Sequence, residues 1–351
     1  MMKKIKIVAL MWTVCIGLLA GCGSAEEQMR ETAPADENIQ IGLSFDSFVI
    51  ERWQKDRDIF VSTAKEYGAE VNVQNANGDL EEQISQIEYL IDKQVDVIVI
   101  VAIDSDGLSE VVAKAKDKGI KVIAYDRLIK NADVDLYISF DNEKVGTLMG
   151  EALVSEELPN KKVLMLAGPT SDHNVSQIEN GFRDVMEAND IEIADIMYAD
   201  GWKAELASDY VNAHIEDMEE IDAIMCGNDM LATNVIRTLA ENRLAGKIKI
   251  VGQDADLEAC QRIVEGTQVM TVYKPVEKLA QRAAEYACQM ALSTPISQNL
   301  EDGKYRTIFD GTYDVPCVVL ESISVDADNM KEVIIDSGFH FEEDVYRNVR
   351  K

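Results

Sequence analysis

The feature that most constrains the fold is a regular alternation of short β-branched runs with stretches of helical periodicity, beginning at Ile39. The runs start at intervals of roughly thirty residues in both halves of the chain. This alternation predicts parallel sheets with helices on both faces, because each connection between parallel strands must cross the sheet. The predicted strands are Ile39–Phe45, Val71–Gln74, Val95–Val101, Lys121–Tyr125, Leu136–Phe140, Lys162–Ala167, Ile193–Tyr198, Ala223–Cys226, Lys247–Gly252 and Val269–Tyr273.

Local signals mark where the helices begin and end. Asp79 and Glu82 form an Asp version of the capping box, in which a side-chain oxygen accepts a hydrogen bond from an early backbone N–H. Gly68 and Gly119 each stand where a helix should stop before a strand. A chain of 351 residues exceeds one ordinary core, and the helix-then-strand order repeats after Asn142. The sequence therefore predicts an α/β fold of two similar doubly wound domains with a cleft between them.

The N-terminal residues predict export and a lipid anchor. Three lysines precede an apolar run from Ile7 to Ala20, which is typical of a secretory signal and too short to span a membrane comfortably. The run ends in Leu19-Ala20-Gly21-Cys22, which resembles the bacterial lipobox. Residues 1–22 are therefore expected to be a lipoprotein signal peptide with Cys22 as the lipidated residue. Residues 23–38 should form a flexible acidic tether that holds the protein on the extracytoplasmic face of the cell membrane.

Charge and cysteine spacing narrow the choice of partners. The chain has 34 basic and 64 acidic residues, and its net charge of −30 repels the phosphates of nucleic acids. We therefore expect no nucleic-acid partner, and a neutral ligand fits better than an anion. No spacing typical of zinc or of a redox pair occurs, so we expect neither a metal nor a cofactor. We expect the cysteines after Cys22 to be core residues, with a disulfide left open: Cys226, Cys260, Cys288 and Cys317.

Polar side chains follow almost every predicted strand. In doubly wound sheets ligands bind outside the carboxyl ends of the strands, so these residues are candidates for a binding site. A sugar hydroxyl both donates and accepts, so a carboxylate and an Arg or Lys hold it well, while an aromatic face covers the C–H surface of the ring. Taken singly, each Asp or Asn could instead cap a helix or form a turn. The residues are Asp46, Asp126-Arg127, Asp141-Asn142, Asp172, Asn174, Trp202, Asn228-Asp229, Gln253-Asp254 and Lys274.

Five longer segments resemble one family: residues 51–58 (ERWQKDRD), 124–127 (AYDR), 137–146 (YISFDNEKVG), 252–256 (GQDAD) and 270–275 (MTVYKP). Through them the chain resembles the bacterial D-xylose-binding proteins of the ribose/galactose-type periplasmic binding family, over Ile39 to His340. The resemblance implies a solute-binding protein, not an enzyme, that binds D-xylose or a related monosaccharide. It also implies delivery of the sugar to the membrane permease of an ABC transporter. The alternative is a sensor that presents a pentose or hexose to a membrane histidine kinase or chemoreceptor.

The same resemblance implies two lobes of the type I periplasmic binding protein fold, joined by a hinge that the chain crosses three times. The first lobe would hold residues 39–140 and about 275–306, and the second residues 141–274 and about 307–345. The cleft between them would close on the sugar. The implied sugar-binding residues are Arg52, Trp53, Asp126 and Arg127 from the first lobe, Asp172, Asn174, Trp202, Asn228 and Asp254 from the second, and Lys274 at a crossing.

Two segments depart from the family pattern. Asp46-Ser47-Phe48-Val49 is less polar than expected before residues 51–58, and His173 stands where Asn is expected. Both departures could change which sugar fits.

Other functions find little support in the sequence. No nucleophile or zinc motif accompanies the three histidines, and Asp326–Asn329 lacks the Gly and Glu of a calcium loop, so a helix-capping turn is expected there. Arg and Lys beside the strand-end carboxylates should keep them ionised, which suits binding rather than acid catalysis. A sugar-responsive repressor of this fold would need a basic helix-turn-helix where this chain has a signal and an acidic tether.

Overall fold

The computed structural model describes residues 39–296 and 303–349. Cys22, the signal peptide and the tether lie outside the described residues. The strands are β1 (Gln40–Phe45), β2 (Glu70–Asn75), β3 (Val97–Ile100), β4 (Lys121–Tyr125), β5 (Leu136–Phe140), β6 (Lys162–Ala167), β7 (Glu192–Tyr198), β8 (Ala223–Cys226), β9 (Lys249–Gln253), β10 (Met270–Tyr273), β11 (Gly303–Phe309), β12 (Asp314–Leu320) and β13 (Ile323–Val325). The ten predicted strands are confirmed, with bounds that differ by at most two residues.

The helices alternate with these strands. They are α1 (Arg52–Glu66), α2 (Leu80–Asp92), α3 (Ser109–Asp117), α4 (Asn142–Val154), α5 (His173–Ala188), α6 (Ala204–Ala213), α7 (Asp229–Glu241), α8 (Leu257–Glu265), α9 (Val276–Ala291) and α10 (Glu342–Val345). The predicted cap of α2 is present, because Asp79 Oδ1 accepts a hydrogen bond of 3.0 Å from the Glu82 N–H. Gly68 and Gly119 follow helix ends with φ of 79° and 80°, a conformation that favours glycine.

Two sheets form two lobes. The first has the strand order β2-β1-β3-β4-β5-β12-β11, and the second β7-β6-β8-β9-β10-β13. Both therefore repeat the 2-1-3-4-5 winding of a doubly wound fold. The pairs at one edge of each sheet, β11 with β12 and β13 with β10, are antiparallel, and the other pairs are parallel. The prediction of two similar α/β lobes is confirmed.

Burial explains why these segments form strands at the centre of a sheet. Each residue of β3, β8 and β10 is buried, as expected where helices cover both faces of a parallel sheet. In the second lobe α4 and α5 pack so closely that a Cβ on Gly146 would overlap the carbonyl of Ile178. This contact fixes the first turns of α4 and α5, both of which begin at the cleft.

Within residues 39–296 and 303–349, the chain passes between the lobes at three places: at Asp141 after β5, at Lys274-Pro275 after β10, and at Glu321-Ser322 after β12. One predicted boundary is wrong. Residues from about 307 were assigned to the second lobe, but β12 pairs in parallel with β5, so the strands through Leu320 belong to the first sheet. The hairpin of β11 and β12 extends the exposed edge of β5, where the backbone N–H and C=O groups otherwise lack partners.

Three smaller predictions can be compared with the structure. Cys226, Cys260, Cys288 and Cys317 are buried free thiols. Asp326 Oδ1 accepts hydrogen bonds from the N–H groups of Asp328 and Asn329, which is the expected turn before a short helical segment at Lys331–Ile335. Across residues 39–296 and 303–349, no helix combines the length and the apolar character needed to cross a bilayer.

Candidate functional site

The carboxyl ends of the two sheets face each other across one cavity. The ten residues predicted to bind ligand, from Arg52 to Lys274, all line it, together with Ile50, Asn142, Ile178 and Gln253. The ten polar or aromatic side chains are buried. The cavity has a volume of about 20 Å³, which is about the space of one water molecule. In this arrangement the lobes are closed on each other, and the charged groups contact one another directly.

Helix α1 supplies a cation and an aromatic ring to the cavity. The Arg52 Nη2 donates to Asp126 Oδ1 at 2.9 Å and to Asp56 Oδ1 at 3.1 Å. The Arg52 guanidinium lies 4.3 Å from the ring centroid of Trp53. Burial acts to lower the pKa of Arg52, but the carboxylates of Asp126 and Asp56 outweigh it and hold this pKa above its usual range. Arg52 is therefore a fixed cation.

The end of β4 supplies Asp126 and Arg127. The Arg127 Nη1 donates to Asp46 Oδ2 at 2.7 Å and to the Ala102 carbonyl at 3.0 Å, while its Nε lies 2.8 Å from Asp172 Oδ2 in the second lobe. Burial acts to raise the pKa of Asp126, but the surrounding cations, led by Arg52, outweigh it and hold the pKa below its usual value. Asp126 is therefore an ionised acceptor.

The first turn of α5 supplies Asp172 and Asn174. Asp172 caps the helix, since its Oδ1 accepts a hydrogen bond of 3.0 Å from the Asn174 N–H, and its Oδ2 accepts from Trp202 Nε1 at 3.3 Å. Asp172 differs from Asp126 in the direction of its pKa shift. Burial raises the pKa of Asp172 above its ordinary value, and Arg127 opposes the rise only in part.

The remaining residues come from β8, β9 and β10. Asn228 caps α7 by accepting a hydrogen bond of 2.9 Å from the Leu231 N–H. Asp254 caps no helix, because the N-cap residue of α8 is Asp256. Its Oδ1 lies 2.7 Å from Lys274 Nζ and 4.0 Å from Arg52 Nη1.

Contacts between the two lobes cross the cavity, and three of them set its closed form. They are the ion pair of Arg127 with Asp172, the approach of Arg52 to Asp254, and a hydrogen bond of 3.0 Å from Asn174 Nδ2 to the Asp126 carbonyl. A ligand larger than water must separate these groups and take over their hydrogen bonds. Burying such charges is favourable only where the partners remain paired, so the ligand must offer both donors and acceptors.

Three buried donors at the cavity have no hydrogen-bond partner among the described residues. They are Arg52 Nε, Trp53 Nε1 and Asn228 Nδ2. Buried polar groups are nearly always paired in folded proteins, and an unpaired one costs stability. These donors lie beside the carboxylates of Asp126, Asp172 and Asp254. The cavity thus presents unpaired donors beside carboxylate acceptors, with the ring of Trp53 among them.

Four residues that line the cavity are not among the ten that the resemblance implies. Gln253 accepts a hydrogen bond of 2.9 Å from Lys274 Nζ, and its place directly after a predicted strand was the available signal. Ile50 and Ile178 carry no such signal, because isolated apolar residues look like ordinary core. Behind the cavity, Tyr125 donates a 2.5 Å hydrogen bond to the buried Asp56. Of the two departures from the family pattern, Asp46 supports Arg127 from outside the cavity, and His173 does not line it.

The chain matches known proteins over most of its length. The family model described as "Periplasmic binding protein domain" matches residues 41–294. The D-xylose-binding periplasmic protein of Haemophilus influenzae is 43% identical over 315 residues, which cover 88% of this chain and 93% of that protein. The D-xylose-binding periplasmic protein of Escherichia coli is 40% identical over 345 residues, or 97% of this chain and 100% of that protein.

A solved structure shows the same fold. It is an ABC transporter solute-binding protein from Clostridium phytofermentans with bound β-D-glucose, which is 28% identical, has a TM-score of 0.77, and covers 87% of this chain and 99% of its own. These relatives are binding proteins of sugar transport rather than enzymes. The family match spans more than half of the chain and coincides with both lobes around the cavity. The chain therefore belongs to the periplasmic binding protein family.

Proposed function

We propose that this protein captures D-xylose between its two lobes by hinge closure and delivers it to the permease of an ABC transporter. The observation that carries the proposal is the cavity itself, where three unpaired buried donors lie among carboxylates and beside an indole ring. We choose D-xylose because two relatives that are at least 40% identical to this chain are D-xylose-binding periplasmic proteins. The glucose bound by the Clostridium protein supports a monosaccharide as the class of ligand.

The arrangement suits a neutral polyol. A hydroxyl placed among these groups would accept from Arg52, Trp53 or Asn228 and donate to a neighbouring carboxylate. Charge-assisted hydrogen bonds strengthen in a dry site, and a sugar lacking one hydroxyl would leave a charged group unpaired. The cavity would therefore select for the pattern of hydroxyls, which is the basis of discrimination between pentoses and hexoses.

Calorimetric titration of residues 23–351 with a panel of pentoses and hexoses tests the ligand. We expect D-xylose to bind more tightly than the other sugars, with a stoichiometry of about one per chain because the ten candidate residues line a single cavity. Tighter binding of another monosaccharide would identify that sugar as the ligand instead of D-xylose, and the ligand would still be a monosaccharide. Absence of heat with every sugar of the panel would overturn the proposal.

We also propose that the protein is anchored through a lipid on Cys22, on the extracytoplasmic face of the cell membrane. The motif Leu19-Ala20-Gly21-Cys22 supports this proposal. The variant Cys22→Ala should lose metabolic labelling with a fatty acid and remain unprocessed by the lipoprotein peptidase, because the thiol is the attachment point. Cys226→Ala is the matched control, since Cys226 is a buried thiol, and it should label normally. Unchanged labelling of Cys22→Ala would refute the anchor.

A further inference from the structure

A second contact between the lobes lies outside the ligand cavity. It joins residues 103–106, which follow β3 in the first lobe, to Ser171, which lies just before α5 in the second. The Ser105 N–H donates to the Ser171 carbonyl at 2.9 Å, and Ser171 Oγ lies 3.4 Å from the Ile103 carbonyl. The Lys130 N–H donates to the Ser105 carbonyl at 2.7 Å and holds the first segment in place. None of these residues lines the cavity.

His173 stands at this contact. It is the first residue of α5, it is half-buried, and its Nδ1 lies 3.4 Å from Ser176 Oγ of its own helix. The charged groups of the first lobe that act on its imidazole are Lys130 and Asp106, which form an ion pair of 3.0 Å with each other. The neighbouring carboxylate of Asp172 is engaged by Arg127. The residue that departs from the family pattern therefore lies two residues after the interlobe bond of Ser171 and within reach of charges of the first lobe.

We propose that residues 103–106 form a latch with Ser171 and His173 that stabilises the closed arrangement from outside the cavity, and that protonation of His173 weakens it. The proposal rests on the proposed function, because a latch changes sugar affinity only if the closed form is the one that holds the sugar. The bond between Ser105 and Ser171 uses main-chain groups alone, so it forms whenever the lobes close, whatever the ligand. The latch thus raises the population of the closed form, and affinity rises in proportion.

The direction of the pH effect follows from the surroundings of the imidazole. Burial, and after it the charge of Lys130, lowers the pKa of His173 in the closed arrangement, while Asp106 opposes this with a smaller effect. Opening the lobes exposes the ring and removes Lys130, so the pKa returns towards its ordinary value of about 6.5. Protons therefore bind preferentially to the open form, and affinity should fall as pH falls through this range.

The test compares sugar dissociation constants at pH 7.5 and pH 5.5 in four proteins: wild type, His173→Asn, Lys130→Met and His214→Asn. Removing an exposed like-charge contact corresponds to about a two- to fivefold change in affinity. On acidification from pH 7.5 to pH 5.5, we expect the sugar dissociation constant of the wild type to rise by that factor more than the dissociation constant of His173→Asn does. The rise for Lys130→Met should lie between these two. His214→Asn is the matched control, because its ring stacks on Tyr210 within the second lobe, and it should keep the wild-type ratio.

The comparison separates His173 from other titrating groups. His340 and the cavity carboxylates are present in each of the four proteins, so their contributions cancel in the ratio between variants. A wild-type ratio retained by His173→Asn would overturn the latch. If no sugar of the panel binds at pH 7.5, the proposed function fails. Small-angle scattering of the free protein then tests the latch by itself. At pH 5.5 the latch requires a larger radius of gyration in the wild type than in His173→Asn, and equal radii would refute it.

Discussion

Asp254 has a backbone conformation that limits how its side chain can be tested. Its φ is 100°, a value that side chains other than Asn and Asp rarely adopt, so alanine would add backbone strain to any loss of contact. Its N–H donates to the Val272 carbonyl at 2.9 Å, which holds the residue between β9 and β10. Asparagine keeps the shape and tolerates this φ, and it removes only the charge.

We predict that Asp254→Asn weakens D-xylose binding by roughly ten- to a hundredfold, since a charged hydrogen bond contributes about 1.5–3 kcal/mol and each ~1.4 kcal/mol is tenfold in affinity. The melting temperature of the free protein should change little by comparison. Calorimetry and thermal unfolding on the same sample measure both quantities. Asp256→Asn is the matched control, because this neighbouring carboxyl does not line the cavity. The sugar affinity of this variant should match that of the wild type. Equal losses of sugar affinity in Asp254→Asn and Asp256→Asn would contradict a direct contact between Asp254 and the sugar.

The gathering of the ten candidates could be predicted because parallel strands end at the same edge of a sheet. The directions of their pKa shifts could not be predicted. Asp126 and Asp172 have the same side chain and both follow a predicted strand, yet the pKa of Asp126 is lowered and that of Asp172 is raised. The difference depends on how many cations reach each buried carboxylate. That number is fixed by tertiary contacts such as the one between Arg52 and Asp126.

At the scale of elements, continuous apolar runs made the central strands predictable, whereas β11, β12 and β13 were not predicted. β11 carries Lys304 and Arg306 and is largely exposed, so its sequence lacks the apolar run of a buried strand. Pro316 interrupts β12, and a proline inside a run argues against a strand. The proline is tolerated because β12 pairs with β5 only from Cys317 onward, so at Pro316 the strand is paired on the β11 side alone. The lobe boundary was misplaced for the same reason.

Asn228 combines two roles at the start of α7. Its Oδ1 caps the helix, while its Nδ2 is buried without a partner among the described residues. We predict that Asn228→Ser and Asn228→Ala weaken sugar binding to the same extent, because both remove the amide donor. Only Asn228→Ala should lose about 1 kcal/mol of unfolding free energy, because serine still caps. Denaturant unfolding and calorimetry measure the two effects. Wild-type sugar affinity in Asn228→Ser would show that the Asn228 side chain caps α7 and does not bind the sugar.

At the scale of the whole molecule, the closed arrangement has a consequence for loading. The cavity of about 20 Å³ is lined by residues of both lobes, and ion pairs such as Arg127 with Asp172 span it. A monosaccharide has many times the volume of one water, so it enters only after these contacts part. The chain crosses between the lobes at three short segments, at Asp141, at Lys274-Pro275 and at Glu321-Ser322, and rotation there is the simplest way to separate them.

We predict that saturating D-xylose lowers the radius of gyration of residues 23–351 in small-angle scattering. The free protein must populate an open form in order to load, and the sugar favours the closed form because only that form offers contacts from both lobes. Asp254→Asn is the control at the same sugar concentration. It has lost one of the contacts made only on closure, so its radius should shrink less at subsaturating sugar and approach the wild-type value only at higher concentration. Identical curves with and without saturating sugar, in a protein that calorimetry shows to bind it, would mean that side chains alone admit the ligand and that the hinge does not close.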